Sequence, residues 1–161
     1  AGLQIENGIK VDANLLTVDP QISALGDAAC FPCLYNDEQP TRLESVQNAV
    51  DQGRCIAARL TGKPAPYSAL PWFWTDQGNL KLQIAGLSTG YDSTVVLGSV
   101  ESREVSVLCF RNQHLVAVES CNRMGDHMAA RKILARPPRL TPQTAAAEGF
   151  DLKAWEAANR D

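Results

Sequence analysis

The chain is 161 residues long, 45% hydrophobic, 20% charged and 6% aromatic, with a formal net charge of −3. That composition is globular rather than disordered or collagen-like, and the acidic balance argues against a nucleic-acid binder or a polybasic membrane-surface protein. No apolar run approaches the ~18 residues of a bilayer span, residues 1–10 lack the regions of a signal peptide, and five cysteines, an odd number, fit a reducing, cytoplasmic setting better than a disulfide framework.

In chain order, residues 1–29 hold two short apolar segments, Gly8-Ile9-Lys10-Val11-Asp12 and Gln21-Ile22-Ser23-Ala24-Leu25, and no helical period. Two isolated short strands are not stable in water. They need partners, so the sequence is expected to start inside a larger fold. The second segment is expected to be a strand ending at Gly26-Asp27. Glycine lets backbone approach a ligand closely, and a carboxylate at a strand's C-terminal edge can accept ribose-type hydroxyls. A plain turn after a strand is the alternative. The stretch from Asp27 to Thr41 reads as a loop carrying Cys30-Phe31-Pro32-Cys33. Such a pair can do redox or metal chemistry, but zinc needs two further ligands, and His114 and His127 are distant in sequence.

A helix is predicted from Thr41 to about Thr61. Thr41-Arg42-Leu43-Glu44 reads as a capping box, with Glu44 reaching back to an orphan amide. Leu43, Val46, Val50, Gly53, Ala57 and Leu60 recur at helical steps as an inward stripe. Gly62 fits a left-handed cap and Pro64 blocks continuation. Lys63-Pro64-Ala65-Pro66-Tyr67 is a stiff connector and the expected domain boundary, dividing residues 1–66 from 67–161.

Beyond it the period changes. Leu80, Leu82 and Ile84 alternate with polar residues, as do Val105, Val107 and Cys109, and then Val116 and Val118; these predict half-buried antiparallel strands. Arg111-Asn112-Gln113 reads as a hairpin connection. Trp72 and Trp74 are expected on opposite faces of a strand, one of them in the core. A second helix is predicted from about Gly125 to Arg136, with Met128, Ala129, Ile133 and Leu134 inward, Arg131, Lys132 and Arg136 outward, and Pro137-Pro138 ending it. Residues 139–149 read as loop, and Asp151 to Asn159 as a short final helix. The class is α+β.

Several stretches together resemble one family. The spacing Thr17-x-x-x-x-Ile22-x-Ala24-x-Gly26-Asp27 is similar to the second FAD fingerprint of two-dinucleotide-domain flavoproteins, whose GxGxxG partner is absent from these residues. Arg42-Leu43-Glu44-Ser45-Val46-Gln47-Asn48-Ala49, Gly62-Lys63 and Pro71-Trp72-Phe73-Trp74-Thr75-Asp76-Gln77 resemble the C-terminal third of oxygenase-coupled ferredoxin reductases, the putidaredoxin-reductase and rhodocoxin-reductase type. Leu82 to Leu87 and Gly90-Tyr91-Asp92 continue the likeness, which runs from about Gly8 to the final helix.

The resemblance implies an FAD domain interrupted by an NAD domain and followed by a C-terminal domain. Residues 1–66 would be the incomplete last segment of a Rossmann-like FAD domain. Residues 67–161 would be a C-terminal domain of antiparallel strands with flanking helices. The complete protein would take a hydride from NADH onto non-covalent FAD and pass electrons singly to a [2Fe–2S] ferredoxin that feeds an oxygenase; this chain alone would be inactive. By the same resemblance Gly26 and Asp27 would hold the flavin's ribitol chain. The amide of Val46 would approach the flavin ring, where the helix dipole favours the anionic reduced form. Trp74 would border the flavin cleft, and Arg54, with Arg42 second, would face the acidic surface of the ferredoxin. No side chain is assigned a catalytic or metal-binding role. Two alternatives stand beside this: a non-catalytic fragment for homo-oligomerisation or partner docking, and a relative of the same fold with a different electron acceptor.

Overall fold

The computed structural model describes residues 2–137 and 139–160. The chain divides into two compact units, Ala1–Pro71 and Trp72–Asp161.

The first unit is built on three short strands and one helix. Strand β1 (Ile9–Lys10) runs parallel to β2 (Ala29–Cys33), and β2 pairs antiparallel with β3 (Gln39–Thr41). The expected loop around the two cysteines is therefore the middle strand. Pro32 sits opposite Pro40, at a place in the ladder where neither residue has an amide to donate. Cys30 and Cys33 are buried beside Phe31, and burial pushes the Cys33 thiol above its ordinary range. Among the described residues no group of His, Cys, Asp and Glu could hold a metal ion. The second apolar segment is not a strand either. Leu16 and Ser23 form an isolated bridge, and Gly26 opens a single 3-10 turn, Gly26–Ala28.

Helix α1 (Val46–Leu60) begins four residues later than the capping box predicts. Strand pairing keeps Thr41 extended, with its hydroxyl bonded to the Gln39 carbonyl at 2.8 Å, and Glu44 pairs with Arg42 at 2.5 Å. Ser45 takes over the cap, its hydroxyl accepting the Asn48 amide at 3.1 Å. The C-terminal end follows the expectation: Gly62 has φ +80°, the Gly62 amide bonds to Arg59 and the Lys63 amide to Ala58.

The orientation of α1 is the larger correction. Val46, Val50 and Leu60 of the supposed inward stripe are 64%, 45% and 76% exposed, while Gln47, Asn48 and Gln52 are buried. The buried amides bind backbone that has no strand partner. Gln52 Oε1 accepts the Gly26 amide at 2.7 Å, and Asn48 Nδ2 donates to the Leu43 carbonyl at 3.1 Å. Tyr67 donates its hydroxyl to Asn48 Oδ1 at 3.2 Å and meets Phe31 edge-on, so the end of the connector belongs to this unit.

The second unit is a five-stranded antiparallel sheet in the order β4-β5-β8-β7-β6. The strands are β4 (Trp72–Gln77), β5 (Leu80–Gly86), β6 (Ser93–Ser99), β7 (Glu104–Arg111) and β8 (His114–Cys121). The β7–β8 hairpin turns through Asn112 and Gln113, both at positive φ (51° and 68°), the two-residue geometry that matches strand twist. Gly86 has φ +80°, and a Cβ there would sit 2.1 Å from the Val116 carbonyl, so only glycine fits at this end of β5.

Helix α2 (Met124–Leu134) packs on β5 and β8, and α4 (Leu152–Ala158) packs on α2; α3 (Pro142–Ala145) is a single turn within the expected loop. Ala129, Ile133 and Leu134 point inward as predicted, together with Phe110, Leu115 and Val118 of the sheet. Met128 does not: it is 48% exposed, and Asp126 and His127 are buried in its stead. Of the two prolines expected to stop α2, Pro138 lies outside the described residues. Asp151 caps α4, accepting the Ala154 amide at 2.7 Å. The two tryptophans of β4 are not on opposite faces. Side chains two apart on a strand share a side, and the rings of Trp72 and Trp74 lie 5.2 Å apart.

Candidate functional site

In the first unit the 3-10 turn at Gly26 rests on the second turn of α1. Gly26 is buried with φ +64°, and a Cβ on it would lie 3.2 Å from the Cβ of Ala49. The backbone therefore comes as near to the helix as it can. Asp27 follows with its side chain exposed, while its carbonyl accepts Arg42 Nη1 at 3.0 Å. Val46 is the first residue of α1 and is exposed. Helix amides in the first turn have no intrahelical acceptor and carry the positive end of the dipole. Gly26 thus packs on the first turns of α1, the helix that Val46 opens, and Asp27 follows it with an exposed carboxylate that can accept hydroxyls.

Of the other sequence-predicted residues, Arg42 joins this turn. Arg42 is 31% exposed and held between the Asp27 carbonyl and the Glu44 carboxylate, so it braces the turn. Arg54 lies on the open face of α1, its side chain 76% exposed and paired with Asp51 at 2.9 Å. Trp74 belongs to the second unit, on edge strand β4, and is 46% exposed.

Sequence reasoning missed Gln52, which fastens Gly26 from across 26 positions of chain. Its signal was present: Asn48 and Gln52, four apart, form a polar row beside the apolar stripe. It also missed two features of the second unit. Asp126, buried, accepts from Ser106 at 2.8 Å and from Arg123 at 2.5 Å, and Ser106 reaches Ser120 at 3.1 Å. His127 is buried with neither ring nitrogen bonded, and burial, reinforced by the Arg131 charge, lowers its pKa to about 4. Arg131 lies over the ring of Trp72, 4.2 Å from its centroid. None of these groups forms a nucleophile–base pair; the chemistry on offer is binding and charge placement.

Residues 72–155 match the family described as "Reductase C-terminal". Rhodocoxin reductase of Rhodococcus erythropolis is 52% identical over 160 residues, 99% of this chain and 37% of that protein. Putidaredoxin reductase of Pseudomonas putida is 39% identical over 158 residues, 98% of this chain and 37% of that protein. Among solved structures, a ferredoxin reductase from Rhodopseudomonas palustris aligns with TM-score 0.89 at 51% identity, covering 96% of this chain and 38% of that one. The reductase in a covalent putidaredoxin reductase–putidaredoxin complex aligns with TM-score 0.90 at 38% identity, covering 98% and 37%. The chain thus spans well under half the length of these relatives.

Proposed function

The chain belongs to the reductase C-terminal family, and from that premise we propose that it is the closing part of an FAD-dependent NAD(P)H:ferredoxin reductase of an oxygenase system. The unit that ends at Pro71 closes the FAD-binding domain, and the unit that starts at Trp72, not the expected residue 67, forms the C-terminal domain. The complete protein works in the cytoplasm, oxidises NADH and passes electrons to a [2Fe–2S] ferredoxin. The observation that carries this reading is 52% identity to a rhodocoxin reductase across 99% of the chain. The packing of the Gly26-Asp27 turn on α1 supports this reading.

The residues present fit the cofactor. A cradle that a Cβ would crowd, an exposed carboxylate and a helix start together suit a polyol chain attached to an electron-rich ring. Bound FAD converts two-electron to one-electron chemistry. In this chain Asp27 would accept ribitol hydroxyls, Gly26 would keep the backbone close, and the amide of Val46 would be the helix-start donor for the ring. Trp74, exposed on β4, is the aromatic side chain that the same reading assigns to the flavin. Arg54, exposed on α1, meets an acidic ferredoxin surface, where a rim charge acts mainly on association rate.

The test is flavin retention by the complete protein after desalting, comparing Asp27→Ala with Asp37→Ala. A hydrogen bond to a charged group contributes about 1.5–3 kcal/mol, so losing Asp27 should weaken FAD binding roughly 10- to 100-fold. Asp37, exposed but outside the turn, should be neutral. Equal retention by both variants removes Asp27 from the site.

A further inference from the structure

We propose that Arg131 is a positioning residue for the exposed indole of Trp74, acting through the face of Trp72. Trp74 sits on an edge strand with one neighbour, facing Gln83 of β5. Such a half-exposed indole has several rotamers open to it. Here its ring is held 5.2 Å from that of Trp72 at an interplanar angle of 31°. Whatever fixes Trp72 therefore fixes Trp74.

Two residues of α2 do so. Trp72 pairs in register with Ala85, a fully buried small residue, so side chains of α2 can reach the indole. His127 and Arg131 are four apart and share one face of the helix. His127 meets Trp72 edge-on, with centroids 5.9 Å apart at 60°, and is 1% exposed. It acts as a flat, neutral wall. Arg131 supplies the attraction: a guanidinium 4.2 Å from the ring centroid is drawn to the negative face of the indole, and its planar group can stack where an ammonium cannot. The expectation that Arg131 merely points outward to solvent is thereby replaced. His127, Arg131, Trp72 and Trp74 form one contact chain from the buried side of α2 to the surface of β4.

The consequence is a preset aromatic surface. Whatever approaches β4 meets an indole already oriented, which lowers the ordering cost of contact. On the reading proposed above, on which this clause rests, that surface is the aromatic assigned to the flavin, and Arg131 keeps it in place.

Two arms test it. In the 161-residue chain, the part of the far-ultraviolet circular dichroism abolished by Trp74→Phe measures the coupling of the two indoles. Arg131→Met, which keeps the bulk, should reduce that couplet at least twofold; Arg131→Lys, which keeps the charge but cannot stack as the planar guanidinium does, should fall between Arg131→Met and the parent. An unchanged couplet in Arg131→Met, or equal loss in Met and Lys variants, overturns the proposal. In the complete reductase, Trp74→Phe and Arg131→Met should each slow electron delivery to ferredoxin at least threefold, and the double variant no further. Multiplying effects would show that Arg131 does not act through Trp74. If Trp74→Phe leaves turnover unchanged, the flavin-cleft reading falls, and the couplet alone decides on Arg131.

Discussion

Substituting Gly26 by alanine should cost the first unit about 2–3 kcal/mol, and the cost can be divided between two causes. The first is the backbone: Gly26 sits at φ +64°, where an L side chain costs roughly 1–2 kcal/mol. The second is contact: the added methyl would lie 3.2 Å from the Ala49 Cβ, tighter than ordinary packing and worth about 1 kcal/mol as overpacking. Ala49→Gly removes the second cause while itself costing about 1 kcal/mol in helix propensity. A double-mutant cycle should therefore show a coupling of about 1 kcal/mol. Trp72, Trp74 and Trp155 all lie in the second unit, so tryptophan fluorescence is blind to this change. Native-state hydrogen exchange of α1 amides reads it directly: a loss of 2 kcal/mol speeds exchange about 30-fold, at 1.4 kcal/mol per factor of ten. Acceleration below twofold in Gly26→Ala would refute the reading of this turn as a position that needs glycine.

The second unit yields two further expectations. Asp126→Ala should destabilise that unit by about 3–5 kcal/mol, because it leaves Arg123 and the buried Ser106–Ser120 pair without their shared acceptor; urea unfolding followed by tryptophan fluorescence checks it, and a loss under 1 kcal/mol would contradict the network. His127 has a folded pKa near 4 against an ordinary 6.5, so the unfolded chain binds the proton first as pH falls. Stability is then full above pH 6.5 and is lost between 6.5 and 4, by about 3 kcal/mol in all, and His127→Phe should flatten that part of the stability profile.

Strands β5, β7 and β8 were legible as strands because their apolar residues recur every second position, but the faces were not: Ser106 and Ser120 are buried, Leu82 is 37% exposed, and Val105 and Val107 are only half-buried. Strand β6 was not. Its Val95, Val96 and Leu97 are consecutive although Val96 is 57% exposed, and the period of two is erased. Proline hid β2 in the same way, since only a neighbour as donor-poor as Pro40 makes Pro32 acceptable in a middle strand. The start of α1 was placed at Thr41, but pairing of β2 with β3 keeps Thr41 extended and Ser45 becomes the cap, which local propensity cannot foresee. On α2 Met128 was read as inward and Asp126 and His127 were not, yet both of these are buried because a partner waits inside: Ser106 for Asp126, Trp72 for His127. At the candidate site the special backbone of Gly26 was legible because glycine is a local signal, but the strand expected before it is a single isolated bridge. Gln52 was not, because its meaning depends on a backbone amide 26 residues away.

Helix α1 reverses the usual correspondence between apolar and inward, and this can be measured. A buried Val or Leu truncated to Ala costs about 2–5 kcal/mol for the larger side chains, whereas an exposed one changes stability by no more than about 0.5 kcal/mol. Val50 and Leu60 are 45% and 76% exposed. In the 161-residue chain the double variant Val50→Ala, Leu60→Ala should therefore leave α1 exchange within about threefold of the parent, helped by alanine's better helix propensity. Gln52→Ala should do more harm than both together. Gln52 is fully buried, and its removal leaves the Gly26 amide without an acceptor, a loss of about 1–3 kcal/mol, or roughly 5- to 150-fold faster exchange at 1.4 kcal/mol per factor of ten. Acceleration beyond tenfold in the apolar double variant, with Gln52→Ala silent, would return α1 to the conventional orientation. The same apolar pair in the complete protein then has a separate meaning: a cost above 2 kcal/mol there, and not in this chain, would show that the Val50–Leu60 face is covered by residues outside it.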